Sequence, residues 1–171
     1  MLTKQQDNYI LCMKNLPIAR TEVIKALKSS DIGGDLPLDV LEQLADVSSV
    51  FELEKGDVLT EKGAEGHHAY IILSGSIEVQ LTQDFHNPIG SRTLIAGSII
   101  GETGILEAGR RTARTVSLEH TQLLCLRDDD LDAIFTKDPR AGYYFMRNLS
   151  VVLAKRLRTT NLAIRHSLYV G

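Results

Sequence analysis

The spacing of apolar residues changes twice along the chain. Tyr9, Ile10, Met13 and Leu16 recur at helical intervals, and Ile18, Val23, Ile24 and Leu27 continue the pattern. This predicts helix over 7–28, interrupted or restarted at Pro17, which cannot donate a backbone hydrogen bond. Ser29–Asp35 is polar and contains glycine, so it breaks the helix. A second helix is predicted from Pro37 to Val47, with Asp35 as its cap and Leu38, Leu41, Leu44 and Ala45 on its apolar face. Residues 1–48 thus read as a helical segment with a packing role.

From Ser49 the period drops to two. Val50–Glu54 alternates like a strand and Lys55-Gly56-Asp57 turns it. Val58–Thr60 follows, and Glu61–Gly66 turns again. Tyr70–Leu73 is a short apolar strand, Ser74-Gly75 a turn, and Ser76–Thr82 alternates through Ile77, Val79 and Leu81. Gln83–Ser91 is a polar loop, and Arg92–Ile95, Thr115–Leu118 and Leu123–Leu126 return to strand. Many short strands with turn signals at close intervals predict a β-roll or barrel over about 49–135. Asp128-Asp129-Asp130 precedes a short apolar-periodic run, which fits the start of a helix favoured by negative charge better than a cation site.

The third regime spans 136–171. Pro139 suits the first position of a helix, and Met146, Leu149, Leu153, Leu157, Asn161 and Ile164 recur at helical spacing. Arg140–His166 carries Arg147, Lys155, Arg156, Arg158 and Arg165 and no acid. Such a helix exceeds about 35 Å, longer than a small domain needs. Its apolar stripe therefore requires the barrel or a second copy of the chain as a partner.

Composition narrows the function only moderately. A chain of 171 residues, 43% hydrophobic and 24% charged, suits one globular core. A net charge of −3 gives no reason to expect direct nucleic-acid binding. Cys12 and Cys125 match no metal or redox spacing. No apolar stretch is long enough to span a membrane and no signal-peptide pattern opens the chain, so the cytoplasm is the expected compartment. His67 and His68 are adjacent and would point to opposite faces of a strand, which disfavours a cupin-like metal site. No constellation suited to catalysis is present, so no enzyme activity is expected.

The chemistry concentrates in residues 97–116, GSIIGETGILEAGRRTARTV. Gly101 permits close backbone approach to a ligand. A helical turn over Thr103–Leu106 would aim free N–H groups back at it, forming an anion site. Arg111 can close on the same anion with a planar fork, whereas ionised Glu102 only accepts and suits a hydroxyl. Together these groups ask for a phosphate with a neighbouring sugar hydroxyl.

This stretch resembles the phosphate-binding cassette of the cyclic nucleotide-binding domain family, roughly F-G-E-x-A-L and then R-(S/T/A)-A. Here it reads Ile100-Gly101-Glu102-Thr103-Gly104-Ile105 and then Arg111-Thr112-Ala113. Lys55–Val79 follows the family's early strand and glycine pattern nearly throughout, and the resemblance covers about 30–166. Ala154–Asn161 is similar to the long dimer helix of catabolite activator proteins. The resemblance implies an α+β, mainly β fold: a double-stranded β-helix, jelly-roll-like, with N-terminal helices and a long C-terminal helix. It implies that Glu102 holds the ribose 2′-hydroxyl, that Arg111 holds the cyclic phosphate and that Thr112 adds a hydroxyl beside it. Thr160 and Asn161 would reach the base, the second from the opposite subunit. Thr103, Arg114 and Asn161 depart from the usual residues at their positions. Arg110 replaces a frequent proline and leaves a one-residue ambiguity over which arginine grips the phosphate.

The function this implies is a regulatory sensor of cyclic AMP, with cyclic GMP close behind, needing no metal. It would form a homodimer through the C-terminal helix and signal through that helix to an effector domain or protein. In the family's transcription factors a DNA-reading helix-turn-helix follows this helix, and the sequence leaves open whether the chain is a stand-alone sensor or a regulatory piece. The alternative is a degenerate β-roll that serves as a dimerisation or docking module without nucleotide.

Overall fold

A computed structural model describes residues 16–81, 91–107 and 109–169. The expected helix over 7–28 is shorter in its described part: residues 16–19 are non-helical and α1 spans Arg20–Ser29. Tyr9, Ile10, Met13 and Cys12 lie outside the described residues. Helix α2 spans Leu38–Val47, with Pro37 rather than Asp35 at its cap position and no side-chain capping bond. Pro37 suits that place because it has no N–H to leave unpaired.

Among the described residues eight strands follow: β1 Ser49–Leu53, β2 Val58–Thr60, β3 His68–Ser74, β4 Ser76–Gln80, β5 Ser91–Ile95, β6 Ile99–Ile100, β7 Arg114–Ser117 and β8 Thr121–Arg127. Helix α3, Glu102–Glu107, interrupts them, and α4, Asp128–Lys137, with α5, Pro139–Tyr169, completes the described chain. All described pairings are antiparallel. One sheet has the order β1-β8-β3-β6 and the other β2-β7-β4-β5. Strand β6 has too few residues to show a period, so only tertiary pairing with Tyr70 and Ile71 reveals it.

The first sheet is buried on both faces. Tyr70, Ile72, Leu123 and Cys125 point into the roll with Phe51 and Ile100. Ala69, Ile71, Leu124 and Leu126 face a second core built with α1, α2, α4 and α5. This explains why Tyr70–Leu73 reads as an unbroken apolar run while outer strands alternate. Burial also pushes the Cys125 thiol up to about 12, so it acts as a small core residue rather than a nucleophile.

Helix α5 begins as its sequence demands. Asp138 Oδ1 accepts the backbone N–H groups of Arg140 and Ala141, and Pro139 occupies the position that needs no donor. Ala141, Phe145, Leu149 and Val152 pack into the helical core. Asn148 Nδ2 donates to the Ile32 carbonyl at 2.8 Å and ties the helix to the loop between α1 and α2. The expected stripe divides. Leu149 and Leu153 pack on the core, whereas Met146, Leu157 and Asn161 are exposed. The side chain of Ile164 lies outside the described residues.

Candidate functional site

Arg111 enters the second sheet's last connection through two backbone bonds. Its N–H donates to the Ala64 carbonyl at 2.7 Å, and its carbonyl accepts the Gly63 N–H at 2.8 Å. These bonds turn the side chain inward, where it is only 6% exposed. Nη1 donates to the carbonyls of His68, at 2.9 Å, and Gly101, at 3.4 Å. The guanidinium carbon lies 5.7 Å from the Tyr70 ring centroid. Among the described residues no ion pair gives this charge a carboxylate.

The close fit depends on glycine. Gly101 has φ +79°, and a Cβ there would lie 2.4 Å from Arg111 Nη1 and 2.8 Å from the His68 carbonyl oxygen. A Cβ at Gly66 would lie 2.1 Å from Arg111 Nε. Gly66 therefore belongs to the site although its sequence position reads only as a turn. The neighbouring Arg110 points away, is exposed, and donates to the Gly63 carbonyl at 3.3 Å.

A cavity opens beside Arg111. Ile100, Gly101, Glu102, Thr103, Thr112 and Ala113 line it, as does Thr160 from α5. Gly104 does not line it; it packs behind Arg111, where a Cβ would meet Nη1 at 3.2 Å and the Gly66 carbonyl at 2.6 Å. Asn161 is exposed on α5 and does not line this cavity. The second sheet supplies a wall that the sequence alone did not assign. Val79 and Leu94 make it apolar, beside Ile100 of the first sheet, and Thr60 and Thr115 add hydroxyls bonded to each other at 2.7 Å.

Two further arginines line the cavity. Arg156 comes from α5, donating from Nη1 to Glu102 Oε1 and from Nη2 to the Ile99 carbonyl. The Arg156 and Glu102 side chains are only 17% and 14% exposed, so the pair is well shielded. Sequence spacing placed Arg156 on the basic helix but could not show that it crosses to the cassette. Arg92 stands at the mouth on edge strand β5. Partial desolvation and then the nearby Arg156 charge lower its pKa, against the attraction of Glu102 and Asp31.

The histidines take other roles. His67 Nδ1 lies 2.9 Å from Asp128 Oδ2, and the His68 ring stacks on Tyr70. Among the described residues no group of three histidine, cysteine or acidic side chains is placed to hold a metal ion. No helix among them is long and apolar enough to cross a membrane.

The family model for the cyclic nucleotide-binding domain matches residues 50–138, just over half of the chain. The chain belongs to the cyclic nucleotide-binding domain family. It is 32% identical over 70% of its length to human cyclic nucleotide-gated channel beta-3, of which the match spans 15%. It is 30% identical over 64% of its length to the cyclic AMP receptor protein of Thermus thermophilus, of which the match spans 49%. The chain therefore spans less than half the length of these relatives. A cyclic nucleotide-binding domain from Methylobacillus flagellatus superposes with a TM-score of 0.73 at 20% identity, covering 86% of this chain and 83% of that one. This likeness supports the fold, including the two-sheet roll and the terminal helix.

Proposed function

We propose that the chain is a non-catalytic sensor that binds one cyclic purine nucleotide and transmits its presence through α5. The observation that carries this reading is the buried Arg111 guanidinium, held open to the cavity by glycine and lacking a carboxylate among the described residues. A charge so placed is stabilised by an anion of matching planar geometry. Arg111 would hold the cyclic phosphate, with the Thr112 hydroxyl beside it. Glu102 would accept from the ribose 2′-hydroxyl, and Thr160 would meet the base. Ile100, Gly101, Thr103, Gly104 and Ala113 would shape the cassette, while Asn161 would serve the pocket of a second subunit.

The mechanism follows from linkage. Thr160 and Arg156 come from α5, and the other cavity residues from the roll. A nucleotide touching both favours whichever helix position completes the pocket, by no more than its difference in affinity. An effector attached to the helix would read that position. Calorimetric titration with cyclic AMP and cyclic GMP tests the proposal. Saturable binding at one per chain supports it, and no heat or thermal shift with either sinks it.

A docking module without nucleotide is favoured by one observation. Glu102 is already paired with Arg156, and Arg111 already donates to two carbonyls. A role without nucleotide thus costs less than it would with Glu102 and Arg111 bare. Dimer formation with no nucleotide response would favour that reading.

A further inference from the structure

The cavity carries an unbalanced charge. Among the described residues that line it, the charged ones are the arginines Arg92, Arg111 and Arg156 and a single carboxylate, Glu102. Arg156 donates to Glu102, so those two charges offset each other. Arg111 is matched by one phosphate. A cyclic mononucleotide brings one negative charge, which leaves Arg92 unmatched. Among the described residues Arg92 has no hydrogen bond or ion pair. The residue is exposed at the mouth, yet partial desolvation and then the Arg156 charge oppose its protonated form. An anion brought by the ligand relieves both.

The place of Arg92 sets where that anion must sit. Arg92 pairs across strands with Val79, so both side chains share the cavity face of the second sheet. The charges that act on it are those of Arg156, Glu102 and Asp31. Arg92 thus stands on the Glu102 side of the cavity, whereas Arg111 is held against the His68 and Gly101 carbonyls. Across the pocket the order is cation, hydroxyl acceptor, cation. A ribose with a phosphate on its 3′ oxygen, another on its 5′ oxygen and a free 2′-hydroxyl has the complementary order. A 3′,5′-cyclic mononucleotide joins both oxygens to the same phosphate and offers the second cation nothing. A cyclic dinucleotide places a separate phosphate on each side of each ribose.

We propose that Arg92 is a second phosphate site of this pocket and that its ligand class is a cyclic dinucleotide. One phosphate meets Arg111, the 2′-hydroxyl between them meets Glu102, and the other phosphate meets Arg92 at the mouth. The second nucleoside leaves through that opening. This rests on the nucleotide-sensor reading above and deepens it, by naming a ligand with two anionic groups. The competing role of Arg92 is that of an inward-pointing charge that guards an edge strand against pairing with another chain.

The test is calorimetric titration of the full chain, in wild type, Arg92→Gln and Arg92→Leu. The ligands are cyclic GMP, cyclic di-GMP, cyclic AMP and cyclic di-AMP, with two linear controls. Guanylyl-guanosine has both bases and one phosphate; its 5′-phosphorylated form has two phosphates without the ring. The expected result is that cyclic di-GMP or cyclic di-AMP binds roughly 10–100-fold tighter than its own mononucleotide. Guanylyl-guanosine should lack that advantage, and both substitutions should remove most of it. Thermal melts of the unliganded variants identify any that fails to fold, and either variant alone suffices. Dinucleotides no tighter than mononucleotides in both base series overturn the proposal but leave the sensor reading standing. An advantage that survives in both variants overturns it in favour of the edge guard. Guanylyl-guanosine as tight as cyclic di-GMP overturns it in favour of a contact to the second base. The linear two-phosphate compound binding as tightly as the ring overturns the choice of a cyclic ligand. A wild-type chain that binds none of these sinks both readings.

Discussion

Two adjacent arginines with the same charge have different fates because the backbone turns only one of them inward. Arg111 is buried against glycine and two carbonyls, while Arg110 is exposed beyond the cavity. Arg111→Ala should therefore cost about 2–5 kcal/mol of nucleotide affinity, the range for removing one partner of a buried charged contact. Arg110→Ala should cost far less, and titration of both variants decides it. The reverse order would place the phosphate on the other arginine. Gly66→Ala tests the same geometry from behind. Its methyl group would meet the flexible Arg111 side chain rather than backbone, so the fold can adjust but the guanidinium must move. Nucleotide affinity should fall roughly tenfold or more, about 1.4 kcal/mol, with a smaller proportional change in the thermal melt.

At the scale of the element, α5 is two segments in one helix. Its first turns are anchored in the core, and its later turns reach the cavity through Arg156 and Thr160. Arg156→Ala would leave Glu102 shielded without its cation. In the unliganded variant, amide exchange should rise from about residue 155 onward while the segment around Phe145 stays protected. Equal exchange along both segments would mean that Arg156 does not hold the helix to the roll.

The anchored end has its own pH dependence. Gln43, and after it the helix-capping N–H groups, hold the Asp138 carboxyl below its ordinary value. Its contribution is then present above the unfolded pKa, about 3.9, and is lost as pH falls through the lower folded value. Asp138→Asn keeps a capping oxygen but removes the titration. Its melting temperature should accordingly fall less than that of wild type as pH drops from about 5 to 2. Parallel curves would assign the acid sensitivity elsewhere.

Across the whole molecule, α5 leaves several large apolar side chains uncovered among its basic ones. Val151, Leu157 and Leu162 are 47%, 62% and 64% exposed. Exposed apolar residues repeated on one long helix are better explained by a second copy of that helix than by solvent. Wild-type protein should sediment as a dimer and Leu157→Lys should shift it towards monomer. A monomeric wild type would remove the basis for assigning Asn161 to an opposite pocket. Nucleotide at 100 times its Kd should add about 2.7 kcal/mol to the stability of whichever assembly binds it.

Local sequence determined the parts of this protein that local physics controls. The change of period at Ser49 marks the start of the roll, Pro139 begins α5, and Gly101-Glu102 with Arg111 marks the cassette. Each reflects a constraint within a few residues: side-chain alternation, a missing donor, or a positive φ. Asp35 was misleading because a cap depends on which residue the chain bends at, and here that is Pro37. The two-residue strand β6, the Gly66 slot and the Arg156–Glu102 pair span 28, 45 and 54 positions, and no period connects such distant residues. Arg92 lines the cavity through the Val79 register, which its own place in the sequence does not reveal. The fold and the cassette were thus written locally, whereas the cavity wall and the contact between helix and cassette were decided only by tertiary packing.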